Sequence, residues 1–169
     1  MRELRALVVD DSSLNRRTIA AILRDIAGIS EVDVARDGAD ALRVIEASPP
    51  DFITLDLDMP RVDGFEFLQL LMDRHPLPVV VVSGLSAKEN IFRALELGAI
   101  DFIEKPHGEE APLEGLRYQL VEKVRLVQQL SPLALQHDLA DDFGLDPELG
   151  APARPTHEPT VLKRVPSKV

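Results

Sequence analysis

Over roughly the first 130 positions, apolar residues fall into short solid runs separated by longer stretches in which they recur every third or fourth residue. Leu4 to Val9 is the first run and ends at Asp10-Asp11. Ser13 to Ala27 then carries Leu14, Ile19, Ile22, Leu23 and Ile26 at near-helical spacing and closes at Gly28. Such spacing predicts an amphipathic helix, whereas a short solid run bounded by turn residues predicts a buried strand. The alternation continues with a strand over Val32 to Ala35 and, after Asp37-Gly38, a helix over Ala39 to Ala47. Next come a strand over Phe52 to Leu57, a helix over Phe65 to Met72 and four consecutive valines, Val79 to Val82. A helix over Lys88 to Leu97 stops at Gly98, a strand follows over Ile100 to Ile103, and a last helix spans Leu113 to Leu130.

Five strand–helix alternations with purely aliphatic strands predict an α/β domain whose parallel sheet is covered on both faces. In sheets of this kind ligands bind beyond the carboxyl ends of the strands, where the strand order reverses. After Leu130 the pattern dissolves and proline recurs at 132, 147, 152, 155, 159 and 166. The expected organisation is a domain over residues 1–130 and a linker or partly disordered tail over 131–169, with a short amphipathic helix over Leu133 to Phe143.

Composition narrows the function. Aromatic residues make up only 4%, so Val, Ile, Leu and Ala must build the core. There is no cysteine, which excludes disulfides, thiolate metal sites and cysteine nucleophiles. The net charge is −10, and both residues 1–106 and residues 107–169 are acidic. A nucleic-acid binder normally presents a basic patch, so no nucleic-acid partner is expected. No apolar run is long enough to cross a bilayer and the first residues do not resemble a signal peptide, so a cytoplasmic location is expected without membrane insertion.

The polar residues at the strand ends carry the candidate chemistry. The first strand delivers Asp10 and Asp11, the third Asp56 and Asp58, the fourth Ser83, and the fifth Lys105-Pro106. Carboxylates gathered at one edge repel unless a cation sits among them. Mg²⁺ is the natural choice, held by Asp10, Asp11 and Asp56, with the Asp58 backbone carbonyl as a further oxygen. Asp56, between Leu55 and Leu57 at its strand end, is the candidate nucleophile toward phosphorus, giving an acyl phosphate. Lys105 would supply charge and Ser83 a hydroxyl for the phosphoryl oxygens, with a cis Lys105-Pro106 bond as an expected aid to aiming the lysine.

Together Asp10-Asp11, Leu55-Asp56-Leu57-Asp58-Met59-Pro60 with Asp63-Gly64, Val82-Ser83-Gly84 and Lys105-Pro106 resemble the receiver domain of response regulators, in order and in spacing, from about Leu4 to Leu130. That resemblance implies a doubly wound, five-stranded flavodoxin-like fold and a sensor histidine kinase as phosphoryl donor. It also implies Asp56 as phosphoacceptor, Asp10 and Asp11 on Mg²⁺, Ser83 as switch hydroxyl and Phe102 at the aromatic switch position. Many members have tyrosine there; phenylalanine would act by packing alone. Such a protein is a switch rather than an enzyme, and its output is altered binding to a downstream protein or an attached effector domain.

A narrower resemblance, carried by Thr54 to Gly64, Arg93 to Phe102 and Leu120 to Arg125, is to the regulatory half of the chemotaxis protein-glutamate methylesterase. The serine hydrolase half is absent, and Gly84-Leu85-Ser86-Ala87-Lys88 lacks the second glycine of a nucleophile turn. The chain is then either a regulatory fragment of such an enzyme or a stand-alone receiver.

Simpler roles compete at each position. Asp10-Asp11 could be a solvated turn, Asp56 could cap its own turn, and Ser83 could serve the start of the helix near Ser86. Phe102 could be ordinary core, and the four histidines are too scattered for a ligand set. Asp56-Leu57-Asp58 also meets the minimal spacing of an aspartyl phosphatase, although the Asp10-Asp11 pair and Lys105-Pro106 fit a receiver better.

Overall fold

The computed structural model describes residues 3–60, 63–107 and 112–130. The chain divides into two units, Met1–Leu130 and Ser131–Val169, and only the first is described. The expected tail and its Leu133 to Phe143 helix lie outside the described residues.

Five strands and five helices alternate: β1 Leu4–Val9, α1 Ser13–Arg24, β2 Ile29–Ala35, α2 Gly38–Ala47, β3 Phe52–Leu55, α3 Gly64–Arg74, β4 Val79–Ser83, α4 Lys88–Glu96, β5 Asp101–Glu104 and α5 Glu114–Gln129. The strands form one sheet in the order β2-β1-β3-β4-β5, and every pairing is parallel. This is the doubly wound, flavodoxin-like arrangement. The order reverses between β1 and β3, and in sheets of this kind the carboxyl ends of those two strands are where ligands bind.

Strand pleating divides the core into two. Leu4, Ala6 and Val8 of β1, Phe52 of β3, Val80 and Val82 of β4 and Ile103 of β5 pack under α1 and α5. Leu7, Val9, Ile53, Leu55, Val79 and Val81 pack under α2, α3 and α4. Alternate residues of a strand thus feed opposite layers. Every residue of β3 and β4 is buried, which is why both read as unbroken apolar runs.

Boundaries moved where backbone pairing and side-chain pattern part company. β2 begins at Ile29, three residues before the apolar signal, because Ser30 and Glu31 lie on an edge strand with their side chains in solvent, while Ile29 packs partly on the core. Leu4 still pairs with Ile29, and Arg5 with Glu31 after a bulge. α1 stops at Arg24, and the remaining apolar residue of that stretch, Ile26, is buried from the turn that leads into Gly28. Gly28 has φ 93°, a conformation that favours glycine.

Side chains cap three of the helices: Ser12 accepts from Asn15 N–H, Asp37 from Asp40 N–H and Asp63 from Phe65 N–H. α4 and α5 have no such cap. α4 is also the least buried, with Ala94 its sole buried residue, whereas α3 buries five. Among the described residues no helix is long and apolar enough to cross a membrane.

Candidate functional site

Sheet hydrogen bonding continues one step past the strands and places the key side chains. Asp10 N–H donates to Ala35 O at 3.1 Å, Asp56 N–H to Val9 O at 2.9 Å and Lys105 N–H to Ser83 O at 3.0 Å. Each residue is therefore fixed by a further rung of the ladder. Pleat alternation sends Asp10, Asp56 and Lys105 to the same side as Val8, Thr54 and Ile103, where they converge.

Lys105 Nζ lies 2.7 Å from Asp10 Oδ2 and 2.7 Å from Asp56 Oδ2. The contact to Asp56 is a directed hydrogen bond. At equal distance the contact to Asp10 is misaligned, and Asp10 Oδ2 is left without an aligned donor. The other oxygens are tied to their own loops: Asp10 Oδ1 accepts from Ser12 N–H at 2.9 Å and Asp56 Oδ1 from Asp58 N–H at 3.0 Å. Asp56 thus does cap its own turn, while its second oxygen faces the lysine. Asp10 and Asp56 are 1% and 3% exposed, so the first cannot be a solvated turn residue; Asp11 is exposed.

Burial pushes the Asp10 carboxyl above its usual range, with repulsion from Asp56 adding to it and Lys105 working against it. Burial also works against the Lys105 ammonium, but its close contacts with the Asp10 and Asp56 carboxylates outweigh this and raise its pKa. Lysine therefore stays charged. One ammonium among three carboxylates leaves the corner short of positive charge.

Carboxylate oxygens of Asp10, Asp11 and Asp56 lie within 4.8 Å of one another. An all-oxygen, hard donor set suits Mg²⁺. Lys105 pairs with Asp10 and Asp56, so among the described residues the Asp11 carboxylate is the member of the set with no ion pair.

Ser83 and Phe102 stand on the opposite pleat, toward α3 and α4. Ser83 is fully buried, and its Oγ accepts from Leu85 N–H at 3.3 Å. The Ser83 hydroxyl has no hydrogen bond to the Asp56 or Lys105 side chain; Lys105 meets Ser83 through the backbone. It does not cap α4, which begins at Lys88 after Ala87. Phe102 is half-buried and packs against the layer under α2, α3 and α4. The Lys105–Pro106 bond is not cis: among the described residues no peptide bond is. The cis guess fails because trans is the ordinary state of such bonds, and the extra rung from Lys105 N–H already aims the side chain.

Three sets of contacts were not foreseen from the sequence. Arg16, inside α1, donates from Nη1 to the carbonyl oxygens of Asp10 and Asp11. Gly64 opens α3 so close to the Asp56 loop that an added Cβ would meet Leu57 Cα at 2.4 Å and Asp56 O at 2.9 Å. Ser86 Oγ donates to Glu104 Oε1 at 2.7 Å, and the same oxygen lies 2.9 Å from His107 Nε2, tying the β4–α4 loop to the end of β5. Only Gly64, as half of Asp63-Gly64, had any local signal.

Comparison with known proteins agrees with this geometry. The family model described as response regulator receiver domain matches residues 6–116. Protein-glutamate methylesterase/protein-glutamine glutaminase 1 of Myxococcus xanthus is 46% identical over 127 residues, which is 75% of this chain and 37% of that protein. Protein-glutamate methylesterase/protein-glutamine glutaminase 6 of Anaeromyxobacter dehalogenans is 41% identical over 170 residues, 97% of this chain and 47% of its own length. The chain thus spans less than half of either relative. Among solved structures, the response regulator domain of Thermotoga maritima CheB superposes with a TM-score of 0.70 at 36% identity, covering 78% of this chain and all of that one. Vibrio cholerae chemotaxis protein CheY4 gives 0.62 at 26% identity, covering 74% of this chain and 98% of that one. With its fold, its acidic corner and this match over most of the described domain, the chain belongs to the response regulator receiver family.

Proposed function

We propose that the chain is a phospho-switch in which Asp56 accepts a phosphoryl group from a histidine of a sensor kinase. A carboxylate oxygen of Asp56 would attack phosphorus in line, forming the O–P bond as the N–P bond breaks, and the bonding pair would return to the imidazole nitrogen. Mg²⁺ held by Asp10, Asp11 and Asp56, with the Asp58 carbonyl as a further oxygen, would supply charge neutralisation for the transferring group. Lys105 would turn its ammonium from Asp56 Oδ2 to a phosphoryl oxygen, and Ser83 would swing its hydroxyl inward from the Leu85 N–H. Phe102, beside Ser83 on the same pleat, would follow by repacking alone. The loop after β4 and the face of α4 and β5 would carry the change to a partner. A cytoplasmic setting goes with this reading.

The observation that carries it is the double approach of Lys105 Nζ, 2.7 Å from both Asp10 and Asp56. The relatives, all of which extend beyond the matched part, favour a second and compatible reading: a chemotaxis role as the control part of a methylesterase, with its effector as the partner. Incubation with acetyl phosphate and Mg²⁺ followed by intact mass measurement tests the switch. The wild-type chain is expected to gain one phosphoryl group and Asp56→Ala none. Equal labelling of the variant would refute the assignment.

A further inference from the structure

We infer that Arg16 is a positioning residue for the divalent-cation site, acting on Asp11 through the backbone; this rests on the Mg²⁺ reading above. The three carboxylates are not equally held. Asp10 is fixed by Ser12 N–H and Lys105, and Asp56 by Asp58 N–H and Lys105. The Asp11 carboxylate has no hydrogen bond or ion pair with any described residue, and it lies one residue beyond the last rung of β1. Nothing but its backbone can aim it.

That backbone is held at two points by one nitrogen. Arg16 Nη1 donates to Asp10 O at 2.8 Å and to Asp11 O at 2.9 Å. Those oxygens belong to the peptide planes on either side of the Asp11 Cα, so fixing both planes fixes the direction of its Cα–Cβ bond. Arg16 is itself anchored, because its N–H closes the first turn of α1 on Ser12 O at 2.9 Å. Arg16 Nη1 thus donates to backbone carbonyls, and Arg16 has no hydrogen bond or ion pair with the three carboxylates. Groups that orient metal ligands in this way commonly matter for affinity nearly as much as the ligands.

Positioning and plain electrostatics predict opposite signs. Removing a positive charge near a cation site should tighten Mg²⁺ binding by Coulomb attraction alone. Removing a positioning group should weaken it. Arg17 is exposed on the same helix and supplies a charge-matched control.

The test is direct titration of the full chain with Mg²⁺, without phosphodonor, by calorimetry, for wild type, Arg16→Gln, Arg16→Lys and Arg17→Gln, with a melting curve for each. Arg16→Gln is expected to raise the Mg²⁺ dissociation constant about tenfold. Arg16→Lys, able to donate twice but from a shorter stem, should raise it about threefold, and Arg17→Gln should stay within about twofold of wild type. With acetyl phosphate, Arg16→Gln should need more Mg²⁺ for half-maximal labelling yet approach the wild-type rate at saturation. A folded Arg16→Gln that binds Mg²⁺ as tightly as wild type, or tighter, overturns the inference. If that variant does not fold, an Arg16→Lys affinity equal to that of Arg17→Gln does the same. Failure of the wild type to bind Mg²⁺ would instead overturn the metal site itself, and the inference with it.

Discussion

Asp10 shows most plainly what the site costs the fold. It is almost wholly buried, and burial holds its pKa above the ordinary carboxylate value despite the adjacent lysine. A carboxyl group whose pKa is higher folded than unfolded destabilises the native state when ionised. The penalty is therefore complete above the raised pKa and disappears as pH falls from there toward 3.8. Asp10→Asn should accordingly stabilise the metal-free protein at neutral pH, on the order of 1 kcal/mol, as is common when a group kept for function is removed. The gain should shrink on acidification, and added Mg²⁺ should stabilise wild type more than the variant. Melting curves at neutral pH and near pH 4 check this; a variant that melts lower at neutral pH would show that pairing with Lys105 outweighs desolvation.

Among the helices, α4 buries the fewest residues. It lacks a side-chain cap, buries Ala94 alone and leaves Phe92 65% and Leu95 40% exposed. It meets α3 through Ala94 in the shared core and through the Arg93 guanidinium, 4.2 Å from the centre of the Phe65 ring. Few buried contacts mean a low local opening free energy. Amide hydrogen exchange is expected to be faster through Lys88–Glu96 than through α1 or α3, and to change there on phosphorylation. Exchange as slow as in α3, unchanged by acetyl phosphate, would contradict a switch through this helix. The sequence revealed β4 and α3 well, where an unbroken apolar run or a helical spacing marked the whole segment, but it carried β3 to Leu57 although the strand ends at Leu55. It misjudged the start of β2 because an edge strand is specified by backbone pairing, which leaves no apolar trace at Ser30 and Glu31.

For the whole molecule, the parallel ladder is what turns distant residues into a site. Asp10, Asp56 and Lys105 were legible as members because each follows an apolar strand, and topology then requires strand ends in a parallel sheet to meet. Arg16 was not legible, since its partners are carbonyl oxygens that every residue possesses. Nor was the division of labour between the pleats, with the acidic corner and Lys105 on one side and Ser83 and Phe102 on the other. Direct chemical location of the phosphoryl group bears hardest on the central claim. After incubation with acetyl phosphate and Mg²⁺, borohydride reduces an aspartyl phosphate to homoserine, and peptide mass mapping finds the altered residue. Reduction confined to position 56 is the predicted result; a modified Asp10, Asp11 or Asp58 with Asp56 intact would contradict it.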